Sequence, residues 1–199
     1  MPQIQPFIDE TLAVNRDAYL HTEYGKESKL ANLFTDLSYN ASTKNKQHVD
    51  FVVLNSGGFR TEWLPGNITD LNLYNMLPFN NKLVSFVING SALLKTIEIL
   101  QEGDAALYHF HGVQTTVSRK PDGHFELLSA KMMTGEKGDS LEDIQPSRNY
   151  IGVTVDFLLK GGDDFGKVIE QKVYEPTGEI ELGLFRELVR KEIKNTTII

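Results

Sequence analysis

Val52–Arg60 reads VVLNSGGFR. An apolar run stops at Asn55, and Ser56, two glycines, Phe59 and Arg60 follow. Val49–Leu54 has the length and composition of a buried strand, and the glycine pair ends it. Glycines without a Cβ permit positive φ and let a ligand approach main-chain N–H groups. Arg60 adds a planar fork of donors suited to phosphate or carboxylate. The same nine residues also fit an ordinary strand-to-loop turn. No G-x-x-x-x-G-K-S/T pattern occurs, and no G-x-G-x-x-G enters a helix, so a phosphate-loop NTPase is excluded.

Outward from this stretch, strand and helix patterns interleave. Leu30, Leu33, Phe34 and Leu37 give the i, i+3, i+4, i+7 stripe of an amphipathic helix over Ser28–Tyr39. A short strand is expected around Val14–Leu20, a turn at Pro65-Gly66-Asn67, and a short helix over Leu71–Leu77 that Pro78 stops. Leu83–Ile88 reads as a strand. Asn89-Gly90 turns it into a helix capped by Ser91, with Leu93, Leu94, Ile97 and Leu100 inward. Val113–Ser118 and His124–Lys131 form a hairpin about Lys120-Pro121-Asp122-Gly123. Tyr150–Asp156 is another strand, ending near Gly161-Gly162, and Thr177 opens a helix to about Lys194. The order predicts a single α/β (α+β) domain with mixed β-sheets flanked by helices.

The chain of 199 residues is long enough for one sizeable core. Its net charge of −7 argues against non-specific binding to nucleic acid or to an anionic membrane, both of which need a basic field. It has no cysteine, which excludes disulfides, thiolate nucleophiles and cysteine–zinc sites. No signal-peptide pattern follows Met1, so either a cytosolic protein or a piece of a longer chain is expected. Sequons beginning at Asn40, Asn67, Asn89 and Asn195 lean towards export, although an Asn- and Ser/Thr-rich chain also produces them by accident.

His109-Phe110-His111 has the spacing of a zinc-binding pair on one strand face, yet no third or fourth ligand accompanies it in a recognisable pattern. Asp122-Gly123-His124 sits at the expected hairpin tip, where Asp-Gly serves turn geometry. Two aromatic elements carry more. Leu77-Pro78-Phe79-Asn80-Asn81 sets Phe79 after a helix stop, and Phe157-Leu158-Leu159-Lys160-Gly161-Gly162-Asp163 sets Phe157 at a strand end before a glycine turn. Each ring alone fits a core position. As a pair at loop edges they fit a sandwich for a planar base.

In this order the motifs resemble the C-terminal domain of the 5′-nucleotidase family, which includes UDP-sugar hydrolases and 2′,3′-cyclic-nucleotide phosphodiesterases. The corresponding stretches are Lys26–Leu37, Asn55–Arg60, Leu77–Asn81, His111-Gly112-Val113 and Phe157–Phe165, and the likeness spans roughly residues 8 to 195. The resemblance implies a four-layer α/β/β/α fold, an N-terminal arm over residues 1–25, and a substrate-binding domain over 26–195. It implies that Phe79 and Phe157 sandwich the base of a nucleoside or nucleotide, adenosine or AMP foremost, and that Asp163 accepts hydrogen bonds from the ribose. Lys26, Asn55 and Arg60 would contact polar groups of the substrate, while Gly57 and Gly58 give the backbone room.

The partner implied in cis is an N-terminal metallophosphoesterase domain holding two divalent ions of zinc or manganese type, in a protein that is secreted, periplasmic or at the cell surface. The family's metal motifs, D-x-H, G-N-H-D/E and G-H-x-H, are absent from these residues, so the chain alone is expected to be inactive, with no catalytic or metal-ligating residue of its own. No nucleic acid or membrane contact is expected of it. Five departures stand out: Lys26 for arginine, Ala31 and Ser56 for glycines, His111 for serine, and Asp164 for a glycine beside Asp163. They leave a second reading open, a non-catalytic binding or interaction module from a degenerate family member.

Overall fold

The computed structural model describes residues 10–16, 18, 27–43, 48–79, 81–101, 108–135, 138–165, 174–175 and 189–190. Its centre is a five-stranded sheet of order β10-β4-β9-β2-β5. The strands are β2 (Phe51–Asn55), β4 (Leu83–Asn89), β5 (Tyr108–His111), β9 (Asn149–Val155) and β10 (Tyr174–Glu175). β2 and β9 run parallel, and every other neighbouring pair is antiparallel. All five residues of β2 are buried. Period-two alternation divides them between two cores: Val52 and Leu54 face one, Phe51 and Val53 the other.

Helix α1 (Lys29–Thr43) covers the first face through Leu30, Phe34 and Leu37. Ser28 caps it by accepting a hydrogen bond from the Ala31 amide at 3.2 Å. Ala31 is fully buried in this core, so a methyl group occupies the position for which glycine is usual. The same core takes in Phe59, Trp63 and helix α2 (Asp70–Met76), together with a two-stranded ribbon of β1 (Thr11–Asn15) and β3 (Gly66–Thr69). Helix α3 (Gly90–Gln101) covers the second face with Leu93, Ile97 and Leu100. Against it packs a three-stranded sheet of β6 (Val113–Arg119), β7 (Phe125–Thr134) and β8 (Ser140–Asp143). Among the described residues, no helix is long and apolar enough to cross a membrane.

The mixed α/β class expected from the sequence is the class observed. Several elements differ in detail. The first strand lies at Thr11–Asn15, ahead of the expected position and inside the stretch read as an arm, and it pairs with β3. Pro65-Gly66-Asn67 is not a free turn, because Gly66 and Asn67 already belong to β3 and pair with Asn15 and Val14. The cap of α3 is Asn89: its Oδ1 accepts from the Ser91 amide at 3.1 Å and the Ser91 hydroxyl at 2.7 Å. Strands β5 and β8 carry no signal of their own at four residues each. The helix expected over Thr177–Lys194 lies outside the described residues, apart from 189–190.

Gly152, at the centre of β9, shows how closely the second core is filled. A Cβ there would stand 2.5 Å from Phe51 and 2.6 Å from Phe86, two rings that meet edge to face at 5.7 Å. Gly152→Ala is therefore expected to lower stability by about 1–3 kcal/mol, the usual cost of overpacking. Thermal unfolding checks this, and an unchanged midpoint would contradict the packing described.

Candidate functional site

Strand register brings the expected site residues to one end of the central sheet. β9 pairs in parallel with β2 (Phe51 with Gly152, Val52 with Val153) and in antiparallel with β4 (Leu83 with Val155). The carboxyl ends of β2 and β9 thus lie beside the amino end of β4. Asn55 ends β2, Phe157 follows β9 by two residues, and Phe79 precedes β4 by four. Open α/β sheets bind ligands at such strand ends.

Each loop is fixed by residues that point the other way. After β9 the chain makes one helical turn, α4 (Asp156–Leu159), in which Leu158 is fully buried while Phe157 is 44% exposed. A 3₁₀ turn over Gly162–Asp164 follows, anchored by buried Phe165 against Phe86 and Tyr108. The Phe157 ring lies directly on the Gly162 backbone, since a Cβ on that glycine would fall 2.3 Å from the ring. Phe79 is 49% exposed, and the guanidinium of Arg60 sits over its ring at 5.7 Å from the centroid, a cation–π contact. Both rings are large apolar groups left open to solvent at one end of the sheet.

Between these aromatics runs a chain of polar contacts. Arg60 Nη1 donates to the Gly57 carbonyl at 3.3 Å, and the Arg60 amide donates to the Met76 carbonyl at 3.0 Å. Asn55 is 6% exposed, and its Nδ2 donates to Asp163 Oδ2 at 2.5 Å. Tyr108 donates from its hydroxyl to the Asp163 carbonyl at 2.6 Å. Asp163 itself is exposed and holds a left-handed backbone, φ 48° and ψ 37°. That conformation is uncommon for a residue with a Cβ, although aspartate adopts it more readily than most, and it clusters at functional sites.

Of the expected site residues, Asn55, Gly57, Gly58, Arg60, Phe79, Phe157 and Asp163 are thus gathered in one place, and Lys26 lies outside the described residues. Gly57 and Gly58 form a 3₁₀ turn without positive φ, and a Cβ on either would come 3.3–3.4 Å from the Asn55 side chain. Asn55 faces Asp163 from a buried position, so it orients the carboxylate. Sequence reading missed Tyr108 and Asp156. Tyr108 lies on a strand too short to show, and the sequence pattern carries the strand on through Asp156, which opens α4 instead.

Asp156 ties the two aromatic loops together. Its Oδ1 accepts from the Lys82 amide at 2.9 Å, its own amide donates to the Lys82 carbonyl at 2.8 Å, and Lys160 Nζ reaches Oδ2 at 2.6 Å. Burial, the largest single influence, pushes the carboxyl up; the Lys160 hydrogen bond and charge and the Lys82 and Phe157 amides outweigh it and hold Asp156 below its ordinary value of 3.8.

His109 and His111 do share a strand face, and they have separate partners: Ser56 Oγ at 2.8 Å from His109, Asp36 Oδ1 at 2.7 Å from His111. His111 also stacks on Tyr39 at 4.1 Å. It pairs with Val52, three residues along the ladder from the Asn55–Tyr108 pair, or about 10 Å at strand rise. The departure at this position therefore lies away from the gathered residues. Clefts of about 500 and 460 Å³ open beside His111 and Gly112, and none of the described site residues lines them. Among the described residues, no group of three or more His, Asp or Glu is placed to hold a metal ion.

The chain is a mixed α/β domain with an aromatic and polar cluster at one end of its central sheet. The family model described as "5′-nucleotidase, C-terminal domain" matches residues 7–171, and the chain belongs to that family. It is 26% identical over 136 residues to the NAD 5′-nucleotidase of Haemophilus influenzae, covering 64% of this chain and 23% of that protein. It is likewise 26% identical over 180 residues to the 5′-nucleotidase of Bos taurus, covering 83% of this chain and 31% of that protein. The crystal structure of a 5′-nucleotidase precursor from Thermus thermophilus superposes with a TM-score of 0.75 at 21% identity, over 96% of this chain and 38% of that one. A sulfate thiohydrolase SoxB of the same genus, in complex with glycerol, superposes with a TM-score of 0.64 at 17% identity, over 95% and 34%. The chain thus spans about a third or less of the two curated relatives, and the structural likenesses are likenesses of fold.

The clasp at Asp156 has a pH signature. A carboxyl whose pKa is lowered by folding contributes stability above its unfolded value and loses it as pH falls through the folded one. The difference in thermal midpoint between the chain and Asp156→Asn should be full at pH 6 and shrink as pH falls below about 3.8. A difference independent of pH would contradict this account of the clasp.

Proposed function

We propose that this domain holds the nucleoside part of a nucleotide, with the base between Phe79 and Phe157 and the ribose hydroxyls on Asp163. The observation that carries the reading is the pair of half-exposed phenylalanines at the same strand ends as an oriented carboxylate. An ionised carboxylate accepts only, which suits two neighbouring hydroxyls. Arg60, exposed and stacked over Phe79, supplies a cationic donor at the rim for the substrate's anionic side, and Lys26 would add a second. With a net charge of −7 on the chain, attraction of a nucleotide would come from local cations such as Arg60.

In the whole protein the domain would serve a 5′-nucleotidase-type hydrolase that converts nucleoside monophosphates to nucleoside and phosphate. Membership of the family supports this, as do relatives whose names are 5′-nucleotidases. One amide, one guanidinium and one carboxylate suit holding and orienting a substrate. The hydrolytic step is assigned to an N-terminal metallophosphoesterase domain, whose two divalent ions would activate water. The domain alone is then expected to bind adenosine or AMP and to release no phosphate when zinc or manganese is added. An extracellular, periplasmic or cell-surface setting belongs to the same proposal.

Stacking on one aromatic ring is worth about 1–3 kcal/mol per base. Phe157→Ala and Phe79→Ala should each weaken adenosine binding about tenfold in calorimetry and leave the melting midpoint nearly unchanged, because both rings are half-exposed. Equal affinity in the wild type and both variants would remove the sandwich.

A further inference from the structure

Among the described residues, Asp163 is the one non-glycine residue with positive φ. A contact between Cβ and the following carbonyl oxygen disfavours that conformation, so it persists where surrounding groups over-determine it. Two side chains do so here. Asn55 Nδ2 holds carboxylate Oδ2 at 2.5 Å, and the Tyr108 hydroxyl holds the main-chain carbonyl at 2.6 Å. Both donors are buried, each 6% exposed. They are also register partners, directly opposite on β2 and β5. One ladder position of the sheet therefore fixes both the peptide plane and the carboxylate of a single exposed residue.

We infer that Tyr108 is a positioning residue that sets selectivity for ribose hydroxyls by locking Asp163 in its left-handed conformation. The inference rests on the nucleoside reading of the sheet-end cluster. With Oδ2 engaged by Asn55, the other carboxylate oxygen has no hydrogen-bond partner among the described residues and faces an exposed position, where it can accept from a diol. The carbonyl bond decides where that oxygen points: without it the 3₁₀ turn relaxes towards the right-handed region favoured by its neighbours, and the carboxylate swings away. Phe79 lies on a separate loop and Phe157 is carried by α4, which buried Leu158 anchors, so the phenol acts on recognition of the sugar more than on base stacking. Ribose selectivity is then set from inside the core, by a residue that does not touch the ligand.

The test is calorimetry on the chain and on Tyr108→Phe, each with adenosine and with 2′,3′-dideoxyadenosine, folding being followed by circular dichroism. Phenylalanine keeps the ring packed against Phe165 at 5.9 Å and removes only the hydroxyl. A hydrogen bond to a charged acceptor gives the wild type about a tenfold preference for adenosine, and Y108F should reduce it to about twofold or less. Binding of the dideoxynucleoside should stay within about twofold of wild type, which general loosening of the domain would not give. If the wild type prefers adenosine and Y108F keeps that preference, the positioning role is overturned and the nucleoside reading stands. If the wild type binds neither nucleoside, or binds both equally, the ribose role of Asp163 fails and the inference falls with it. A crystal structure of unliganded Y108F reads the same question without a ligand: Asp163 leaving the left-handed region supports the inference, and Asp163 keeping φ near 48° overturns it.

Discussion

The hydrogen-bonding of β9 to β2 on one side and β4 on the other is the constraint from which the site follows. A parallel neighbour shares its carboxyl end with β9, and an antiparallel neighbour brings its amino end to the same edge. Asn55, the Phe157 turn and the Phe79 loop are far apart in sequence and become neighbours through that one arrangement. Thr154, fully buried, reinforces it by donating to the Val53 carbonyl at 2.7 Å. A slip of one residue in this register would exchange the two faces of the strand, turning its packed side chains to the wrong core.

Within the site, exposure and rigidity are separated. Phe79 and Phe157 stand open, while their immediate neighbours are held: Leu158 in the core, the Lys82 backbone on Asp156, Arg60 on the Met76 carbonyl. Asp163 is exposed as well, yet two buried donors fix it. A binding surface built this way loses little conformational freedom when a ligand arrives, because its ordering has been done by the fold. The left-handed Asp163 is strain kept in place by that framework, and such strain clusters where function needs it.

Much of this was legible in the sequence. The apolar run ending at Asn55, the stripe of α1, and the aromatic–glycine segments carry enough pattern to be recognised, and the ordered motifs pointed to the residues that the fold brings together. Other features were hidden for physical reasons. β5 is four residues long and edges the sheet, so its alternation is too short to register, and Tyr108 passed unseen. The hydrogen bond from Asn55 to Asp163 spans 108 residues of chain, and only the register of β2 against β9 sets it up. Glycine has more than one local meaning: Gly57 and Gly58 adopt no positive φ, and Gly66 reads as a turn but begins a strand. His111 looked like half of a metal pair or a lost binding residue. Its contacts with Asp36 and Tyr39 show it fastening β5 to α1.

The account stands most directly on where a nucleoside sits. A crystal structure of the chain with adenosine should show adenine stacked between Phe79 and Phe157 and both ribose hydroxyls on the Asp163 carboxylate. Ordered adenosine in the clefts beside His111 and Gly112, with the two phenylalanines unoccupied, would contradict it.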